Sequence, residues 1–447
     1  MKNILLVYLP FCTPASPPYS ITSLYSFLKN NCKHNIEVLD LNLEFHKLKF
    51  PEYQKYYQNI KDWSNYDKIT NDYKKLTSKT YSENNKKVIN DKKPEFFSEL
   101  LKKIKNNNPD IIAFSIVYSS QAFYAAALIA ALKDKITIIG GPAVNEKLIK
   151  IATKHLKNEL ELLEYIEKKK IDHNKLNPGI PDFSIYNLNE YFTPKPVIPI
   201  KTSTTCYYRK CAFCSHYSNT KYYEYDLDLI KKTIINSKQK YFFLIDDMIP
   251  AKRLLKLAEV FKPLNIKWAC QLRPTKELDY KTLKTLRESG LTMLMWGVES
   301  GNNRILKLIN KGTNTKDIEK VLEDSHNAGI KNTTYMLFGF PTETKEEFLD
   351  TINFLKRNEK NIDLVSVSIF GLQKGTVIYN NPKEFGIKRI IEEERTVLEP
   401  KITYELAEGL IQEQASKLRQ RYKRTIEKIN KFPKTMNFFR EHMFCLV

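Results

Sequence analysis

Three cysteines within nine residues carry the clearest chemical signal of the sequence. Cys206, Cys211 and Cys214 are separated by four and two residues. Loop spacings this short allow one backbone turn to wrap a single inorganic centre, as the cysteine runs of ferredoxins do. A cubane cluster held by three thiolates leaves one iron open to a small-molecule ligand. The loop therefore predicts an iron–sulfur cluster that takes part in chemistry.

Zinc is the main alternative for this loop. His216 lies two residues after Cys214 and would complete a tetrahedral site of three cysteines and one histidine. Structural zinc loops usually bring two ligand pairs from separated segments, whereas these candidates all lie close together in the chain. The spacing favours a catalytic iron–sulfur cluster, and it leaves a zinc site and a purely structural cluster as alternatives.

The cysteine content also indicates a reducing compartment. Seven cysteines, an odd number in a long chain, favour free thiols and a metal site over a disulfide framework. No apolar run is long enough to span a membrane and no signal peptide precedes Pro10, so a cytoplasmic protein is expected. Cys270 ends an expected strand and is interpreted as a small buried residue rather than a fourth ligand. The remaining thiols, Cys12, Cys32 and Cys445, have no ligand pattern.

The cysteine loop follows the first of six expected strand–helix units. Continuous apolar strands that alternate with helices indicate a parallel sheet covered by helices. Six units without a dinucleotide fingerprint predict a partial (β/α)6 barrel of the TIM type over residues 195–390, with its chemistry on the loops after the strands. The expected strands are residues 197–202, 241–245, 267–270, 293–296, 334–338 and 364–369.

The rest of the chain predicts an α/β protein with two further regions. Apolar strands near residues 4–8, 36–39, 109–115 and 136–142 predict a Rossmann-like domain over residues 1–180, with ligands at the carboxyl ends of the strands. Its charged, tyrosine-rich stretch at about 50–106 is expected to be a helical insertion or cap, either a recognition surface or a solvated face. Residues 391–447 are expected to be a basic, helical C-terminal region, with the clearest helix over residues 405–426.

The cysteine loop resembles the motif of radical S-adenosylmethionine (radical SAM) enzymes. In that family three cysteines bind a [4Fe-4S] cluster, and its remaining iron chelates the amino and carboxylate groups of S-adenosylmethionine (SAM). The family has three residues between the first two cysteines, whereas this chain has four, residues 207–210. The half from Cys211 to Cys214 matches. The resemblance implies that Cys206, Cys211 and Cys214 are the metal ligands and that Phe213 lies against the adenine.

The resemblance extends along the expected barrel. The segment Gly-Val-Glu-Ser that ends at Ser300 resembles the family segment that contacts SAM, which implies that Glu299 and Ser300 bind the cofactor. The turn that begins at Gly339 resembles the place where glycine lets the backbone approach SAM closely, although a Gly-Pro turn is also ordinary after a strand.

Two further strand ends offer candidate residues. Arg273 follows the third expected strand and Asp246-Asp247 follow the second, at positions that often face substrate or cofactor in this family. Aspartates at such a place also cap helices, so this alternative stays open. The resemblance further implies reductive cleavage of SAM to a 5′-deoxyadenosyl radical, with a one-electron reductant of the flavodoxin or ferredoxin type as partner.

The N-terminal region resembles the cobalamin-binding domain of one large radical SAM subgroup. The resemblance rests on the proline-rich loop after the first strand and on Gly140-Gly141-Pro142. Many members of the subgroup are methyltransferases that act on unactivated carbons of peptides and natural products. The Asp-x-His-x-x-Gly signature of histidine-ligated cobalamin is absent, and a lysine-rich stretch, residues 146–170, replaces an acidic segment. Bound cobalamin and a degenerate scaffold both remain open.

The net charge of +21 raises the question of a nucleic-acid partner. Clustered lysines and arginines would neutralise phosphates, but here they are spread over the expected helix surfaces, as a compositional bias would produce. The favoured hypothesis is a radical SAM enzyme, a cobalamin-dependent methyltransferase or a related enzyme, that acts on a peptide or a small molecule. The alternatives are a radical SAM tRNA-modifying enzyme, although the extra three-cysteine N-terminal domain of such methylthiotransferases is missing, and a non-catalytic zinc-binding interaction protein.

Overall fold

The computed structural model describes residues 1–215 and 221–447. These residues divide into two compact units. The first comprises residues 1–199, 232–238 and 394–400, and the second comprises residues 200–231, 239–393 and 401–447. Within the described ranges, no helix has the length and apolar character needed to cross a membrane.

The first unit is built on a parallel sheet. Its strands are β1 (Asn3–Tyr8), β2 (Asn35–Asp40), β3 (Ile111–Ser115), β4 (Ile136–Gly140) and β5 (Lys154–His155). They lie in the order β2-β1-β3-β4-β5, and all of their pairings are parallel. Strands β1 and β3 are almost entirely buried, as expected for a sheet covered on both faces. The order reverses between β1 and β3, and a reversal of this kind marks the ligand-binding edge of such sheets. The predicted Rossmann-like fold is confirmed.

Helices connect these strands and form the insertion. They are α1 (Tyr19–Asn31), α2 (Leu41–Lys49), α3 (Pro51–Gln58), α4 (Tyr66–Ile89), α5 (Phe97–Asn106), α6 (Ala122–Ala131), α7 (Glu146–Ile149) and α8 (Glu159–Glu167). The lysine-rich stretch of residues 146–170 therefore contains α7, β5 and α8. It completes the sheet with a short edge strand that the sequence pattern did not predict.

The tyrosine-rich insertion is helical, as predicted, but three of its tyrosines face the core. Tyr57, Tyr66 and Tyr73 are each fully buried. The Tyr73 ring packs against Phe192, and its hydroxyl shares a 2.8 Å hydrogen bond with Nδ1 of the buried His46. Burial of large rings stabilises a core, so these side chains belong to neither a recognition surface nor a solvated face. We call these five residues the aromatic cluster.

The second sheet has six parallel strands in consecutive order. They are β6 (Val197–Ile200), β7 (Tyr241–Leu244), β8 (Lys267–Leu272), β9 (Leu291–Glu299), β10 (Lys331–Phe338) and β11 (Leu364–Ile369). Each strand lies beside the next one along the chain, from β6 at one edge to β11 at the other. The connecting helices are α9 (Leu227–Ser237), α10 (Ala251–Phe261), α11 (Tyr280–Glu288), α12 (Asn303–Leu308), α13 (Thr315–Asn327) and α14 (Lys345–Arg357). This is the predicted partial barrel, and the carboxyl ends of its strands lie at one edge.

The C-terminal residues correct the predicted helical region. The chain forms α15 (Val377–Asn380), an antiparallel pair of β12 (Ile387–Glu393) and β13 (Lys401–Leu406), then α16 (Gln412–Arg421) and α17 (Lys423–Glu427). The helix predicted to begin at Glu405 therefore begins at Gln412. Ile402, Tyr404 and Leu406 pack on a buried apolar cluster at a spacing of two, which is the period of a strand rather than of a helix.

A buried carboxylate fixes the start of the cysteine loop. Asp246 follows β7, is 1% exposed, and accepts hydrogen bonds from the Thr202 N–H at 3.0 Å and from the Ser203 hydroxyl at 2.6 Å. Burial raises the pKa of Asp246, and these hydrogen bonds oppose the rise. The Asp246 side chain thus holds the segment between β6 and Cys206, which is a positioning role rather than the alternative helix cap.

We predict that Asp246→Ala lowers the free energy of unfolding by about 3 kcal/mol, because it leaves buried donors without an acceptor. Chemical denaturation of the reduced apoprotein measures this loss. Asp279→Ala is the matched control, because exposed Asp279 caps α11 by accepting from the Thr282 N–H at 2.8 Å. Loss of such a cap costs about 1 kcal/mol. Equal losses in the two variants would show that Asp246 is not an anchor.

Candidate active site

The cysteine loop, residues 206–214, follows β6 and is held by backbone hydrogen bonds. Cys206, Cys211 and Cys214 are each half-buried, and none forms a disulfide. The Cys214 N–H donates to the Cys211 carbonyl at 3.2 Å, so the second half of the loop is a tight turn. Ala212 joins this turn to its surroundings through its N–H, which donates to Ile309, and through its carbonyl, which accepts from Ile378.

A second turn, residues 309–312, forms hydrogen bonds with the cysteine loop. We call it the 309–312 turn, and it follows α12. Three consecutive carbonyls of this turn accept hydrogen bonds at 2.8 Å: Ile309 from the Ala212 N–H, Asn310 from the Tyr208 hydroxyl, and Lys311 from Arg273 Nη1. The turn therefore ties the cysteine loop to the segment after β8.

The same turn contributes a buried ion pair. The Lys311 side chain is 4% exposed, and its Nζ lies 2.8 Å from Glu299 Oε1 at the end of β9. Burial lowers the pKa of Lys311, but Glu299 and Cys211 more than offset this, so the pKa is raised. A buried charge is tolerated when it is paired and hydrogen-bonded, and this pair meets both conditions.

Glu299 occupies a strained backbone position. Its φ is +69°, in the left-handed region that non-glycine residues rarely adopt. Such residues persist where surrounding contacts fix them, and they concentrate at functional sites. The pairing of β9 with β10 also shifts register beside this residue. The ion pair with Lys311 holds the Glu299 carboxylate near the cysteine loop, and the backbone of Glu299 adopts its unusual conformation at the same place.

Cys211 lies within electrostatic reach of two buried cations. Burial raises the pKa of its thiol, and Lys311 and Arg273 oppose this rise. A thiol beside two buried cations suits a ligand of an anionic inorganic centre. In the described ranges no three His, Cys, Asp or Glu side chains are spaced to hold a metal ion. His216, the fourth ligand of the zinc alternative, lies outside the described residues.

Other predicted site residues have distinct surroundings. Phe213 is half-buried on the apolar cluster that contains Leu337 and Phe340, and Lys311 Nζ lies 6.0 Å from the centre of its ring. The Ser300 hydroxyl is fully buried, 3.2 Å from the Thr351 hydroxyl of α14. Contact of Phe213 and Ser300 with a cofactor stays a prediction.

Gly339 lies at a tight turn after β10. Its φ is +71°, and a Cβ there would stand 2.8 Å from the Cβ of Ala415 in α16, so glycine is required for packing as well as for conformation. The Gly339 N–H donates to Glu343 Oε2 at 2.6 Å. Glu343 is fully buried, and burial raises its pKa to about 8.

Sequence reasoning missed several residues that shape this site. Tyr208, Lys311, Gly312 and Glu343 were not predicted, although Gly312 lies between the expected strands 293–296 and 334–338, where a glycine indicates a turn. The structure brings three of the predicted site residues together around the 309–312 turn. They are Cys211, Arg273 and Glu299. It places Ser300 against α14 and Gly339 against α16.

A family match covers the part of the chain that carries this site. Residues 200–355 match the model of the radical SAM superfamily. This match shows a radical SAM domain over residues 200–355 of the chain. The matched residues run from the end of β6 into α14 and contain the three cysteines, Arg273, Glu299 and the 309–312 turn. The protein is thus a radical SAM enzyme.

The chain is similar in sequence to two proteins that are named as methyltransferases. An uncharacterized methyltransferase of Pyrococcus horikoshii is 24% identical over 355 residues, which cover 68% of this chain and 76% of that protein. A bacteriochlorophyllide d C-8(2)-methyltransferase of Chlorobaculum tepidum is 26% identical over 215 residues, 44% of this chain and 47% of that protein. This chain therefore matches less than half of the second relative.

A solved structure has the same fold over nearly the whole chain. It is the radical SAM methyltransferase TsrM of Kitasatospora setae, with cobalamin and a [4Fe-4S] cluster bound. The TM-score is 0.61 at 12% identity, and the match covers 96% of this chain and 89% of that one. At this identity the comparison shows the fold, in which a Rossmann-like sheet precedes the radical SAM sheet.

We predict that Glu343 makes the stability of the protein fall as pH rises. Its pKa is about 8 in the folded protein, against 4.5 ordinarily, so the folded state retains a proton that the unfolded state releases. The contribution is complete below about pH 4.5 and is lost as pH rises to about 8, at about 1.4 kcal/mol for each unit of pKa difference. Glu343→Gln should remove this dependence, which thermal denaturation of the apoprotein at a series of pH values measures.

Glu347→Gln is the matched control for this prediction. Arg304 lowers the pKa of Glu347, so its contribution is present above its unfolded pKa and is lost as pH falls. The stability difference between wild type and Glu347→Gln should therefore stay level from pH 5 to 8, whereas the difference from Glu343→Gln should fall. A level difference for both variants would contradict the assignment.

Proposed function

We propose that this radical SAM enzyme is a cobalamin-dependent methyltransferase that acts on an unactivated carbon of a peptide or small natural product. The observation that carries the proposal is the five-stranded Rossmann-like sheet that precedes the radical SAM sheet in the chain. A methyltransferase that holds both cobalamin and a cluster has this arrangement along 89% of its own length. The methyltransferase relatives support the same reaction class.

The cysteine loop would hold the cluster. Cys206, Cys211 and Cys214 supply three thiolates, and a bound [4Fe-4S] cluster with SAM supplies the one-electron cleavage of the sulfonium. Lys311 and Arg273 offset the negative charge that such a centre brings into a half-buried site. The Phe213 ring packs on the apolar cluster beside the loop. A one-electron reductant of the flavodoxin or ferredoxin type is the protein partner that we propose, in the cytoplasm.

The Rossmann-like sheet offers an edge that suits cobalamin. The β1 and β3 ends are joined through Gln121, which is fully buried, donates to the Leu9 carbonyl and accepts from the Val117 N–H, each at 2.7 Å. Tyr118 exposes about half of its surface at this edge. Residues 9–18, 116–121 and 141–145 contain no histidine, so these loops would bind cobalamin without a histidine ligand to cobalt.

Anaerobic reconstitution tests the two cofactors separately. The protein is loaded with iron and sulfide, incubated with hydroxocobalamin, desalted, and analysed by absorbance and metal content. We expect an iron–sulfur chromophore with about four irons per chain, and a cobalamin spectrum that survives desalting. A cluster without retained cobalamin would refute the cobalamin-dependent function but leave the radical SAM chemistry. Zinc without a cluster would refute both.

We predict that Cys211→Ala abolishes the reductive cleavage of SAM while the fold is retained. The variant removes one of the three thiolates, and the half-buried loop keeps its backbone contacts through Ala212. Chromatography of 5′-deoxyadenosine after reduction with dithionite measures the cleavage. Cys445→Ala, outside the loop, is the control and should cleave SAM normally. Normal cleavage by Cys211→Ala would overturn the ligand assignment.

A further inference from the structure

One of the four residues between Cys206 and Cys211, Tyr208, is held by two contacts. We call these four residues the spacer. The Tyr208 ring lies against the Arg273 guanidinium, whose Cζ is 3.6 Å from the ring centre, a close cation–π contact. The Tyr208 hydroxyl also donates to the Asn310 carbonyl at 2.8 Å. Tyr208 therefore attaches the middle of the spacer to both Arg273 and the 309–312 turn.

Arg273 is itself held in place by this arrangement. It is 8% exposed, donates through Nη1 to the Lys311 carbonyl at 2.8 Å, and donates through Nη2 to the Tyr207 hydroxyl at 3.3 Å. A buried guanidinium with several partners is a rigid platform, because little freedom remains to its long side chain. The platform thus contacts two consecutive tyrosines of the spacer.

The 309–312 turn leaves room for Tyr208 only because it ends in glycine. Gly312 has a φ of +67°, and a Cβ there would lie 2.3 Å from the Tyr208 hydroxyl oxygen and 2.5 Å from Arg273 Nη1. Contacts under 3.0 Å force a neighbour to move. The glycine and the tyrosine are therefore fitted to each other.

The spacer turns immediately after its anchor. Arg209 has a φ of +55°, a left-handed conformation that is uncommon outside glycine. One residue in this conformation reverses the local direction of the chain. The spacer has one residue more than the family motif. Its Tyr208 stays in contact with Arg273, and the chain turns at Arg209 before it reaches Cys211.

We propose that Tyr208 is a positioning residue, which is clamped between Arg273 and the 309–312 turn and sets the separation of Cys206 and Cys211 for cluster binding. This inference rests on the proposed cluster site. It gives the four-residue spacer a specific role, since the extra length provides an anchored aromatic residue between the first two ligands. Arg273 then acts through Tyr208 and the loop.

The test compares cluster retention in reconstituted wild type, Tyr208→Leu and Tyr208→Phe. The anaerobic rate of iron loss to a chelator is measured, together with the electron paramagnetic resonance spectrum of the reduced cluster before and after addition of SAM. Tyr208→Leu should lose iron about tenfold faster, because the ring contact with Arg273 is gone. It should also alter the spectrum. Tyr208→Phe keeps the ring contact but loses the hydrogen bond to the Asn310 carbonyl, so its rate of iron loss should lie between those of wild type and Tyr208→Leu.

Substitutions at two separate glycines test the clamp without a change to Tyr208. Gly312→Ala should reproduce the effect of Tyr208→Leu, because the added methyl group displaces the tyrosine. Gly375→Ala is the matched control, since Gly375 has a comparable φ of +78° but nothing within 4 Å of the added Cβ. Melting of the apoproteins should show that Tyr208→Leu and wild type unfold at similar temperatures, which separates loop positioning from general stability.

The outcomes distinguish this inference from the proposed function. If wild type binds a cluster and Tyr208→Leu holds iron as firmly with the same spectrum, the positioning role is overturned and the cluster site stands. If wild type binds no cluster, the proposed function and this inference both fail. Equal effects of Gly312→Ala and Gly375→Ala would also overturn the clamp.

Discussion

The parallel pairing of β6 to β11 is the constraint on which the site depends. Parallel neighbours cannot be joined by hairpins, so each strand is followed by a helix that returns the chain to the same starting edge. All six carboxyl ends then meet at the opposite edge. The cysteine loop, Arg273 and Glu299 follow different strands, and only this geometry makes them neighbours.

Within that frame, backbone carbonyls organise the site more than side chains do. The 309–312 turn presents three consecutive carbonyls, which fix the loop, the Tyr208 hydroxyl and Arg273 at the same distance. Lys311 adds a buried charge that faces Glu299 from the same turn. A short irregular segment therefore connects the ends of three strands. Because its backbone is fixed, fewer long side chains have to be ordered separately, which lowers the entropic cost of forming the site.

Periodicity and local spacing were enough to predict both sheets and part of the site. Apolar runs located every strand of the two sheets except the short edge strand β5, since burial on two faces demands such runs. The cysteine spacing predicted a cluster-binding loop, and Arg273 and Glu299 became candidates through the resemblance to the radical SAM family. The sequence did not predict β13, although Ile402 and Tyr404 alternate, because the charged residues on either side of them, Lys401 and Glu405, also suit a helix surface. Lys311 and Gly312 were missed because their importance comes from tertiary contacts, of Lys311 with Glu299 and of Gly312 with Tyr208, which no local pattern records.

The aromatic cluster has a consequence for the evolution of the chain. An insertion that lies on a surface can be lost at little cost, but residues 51–106 supply rings that fill the interior around His46 and Phe192. Each such ring, if left exposed, forfeits about 1.5–3 kcal/mol of burial. A descendant that shortened this stretch would have to refill the space with other residues at the same time. The insertion is therefore part of the core of this unit, and its loss would leave His46 and Phe192 without these ring contacts.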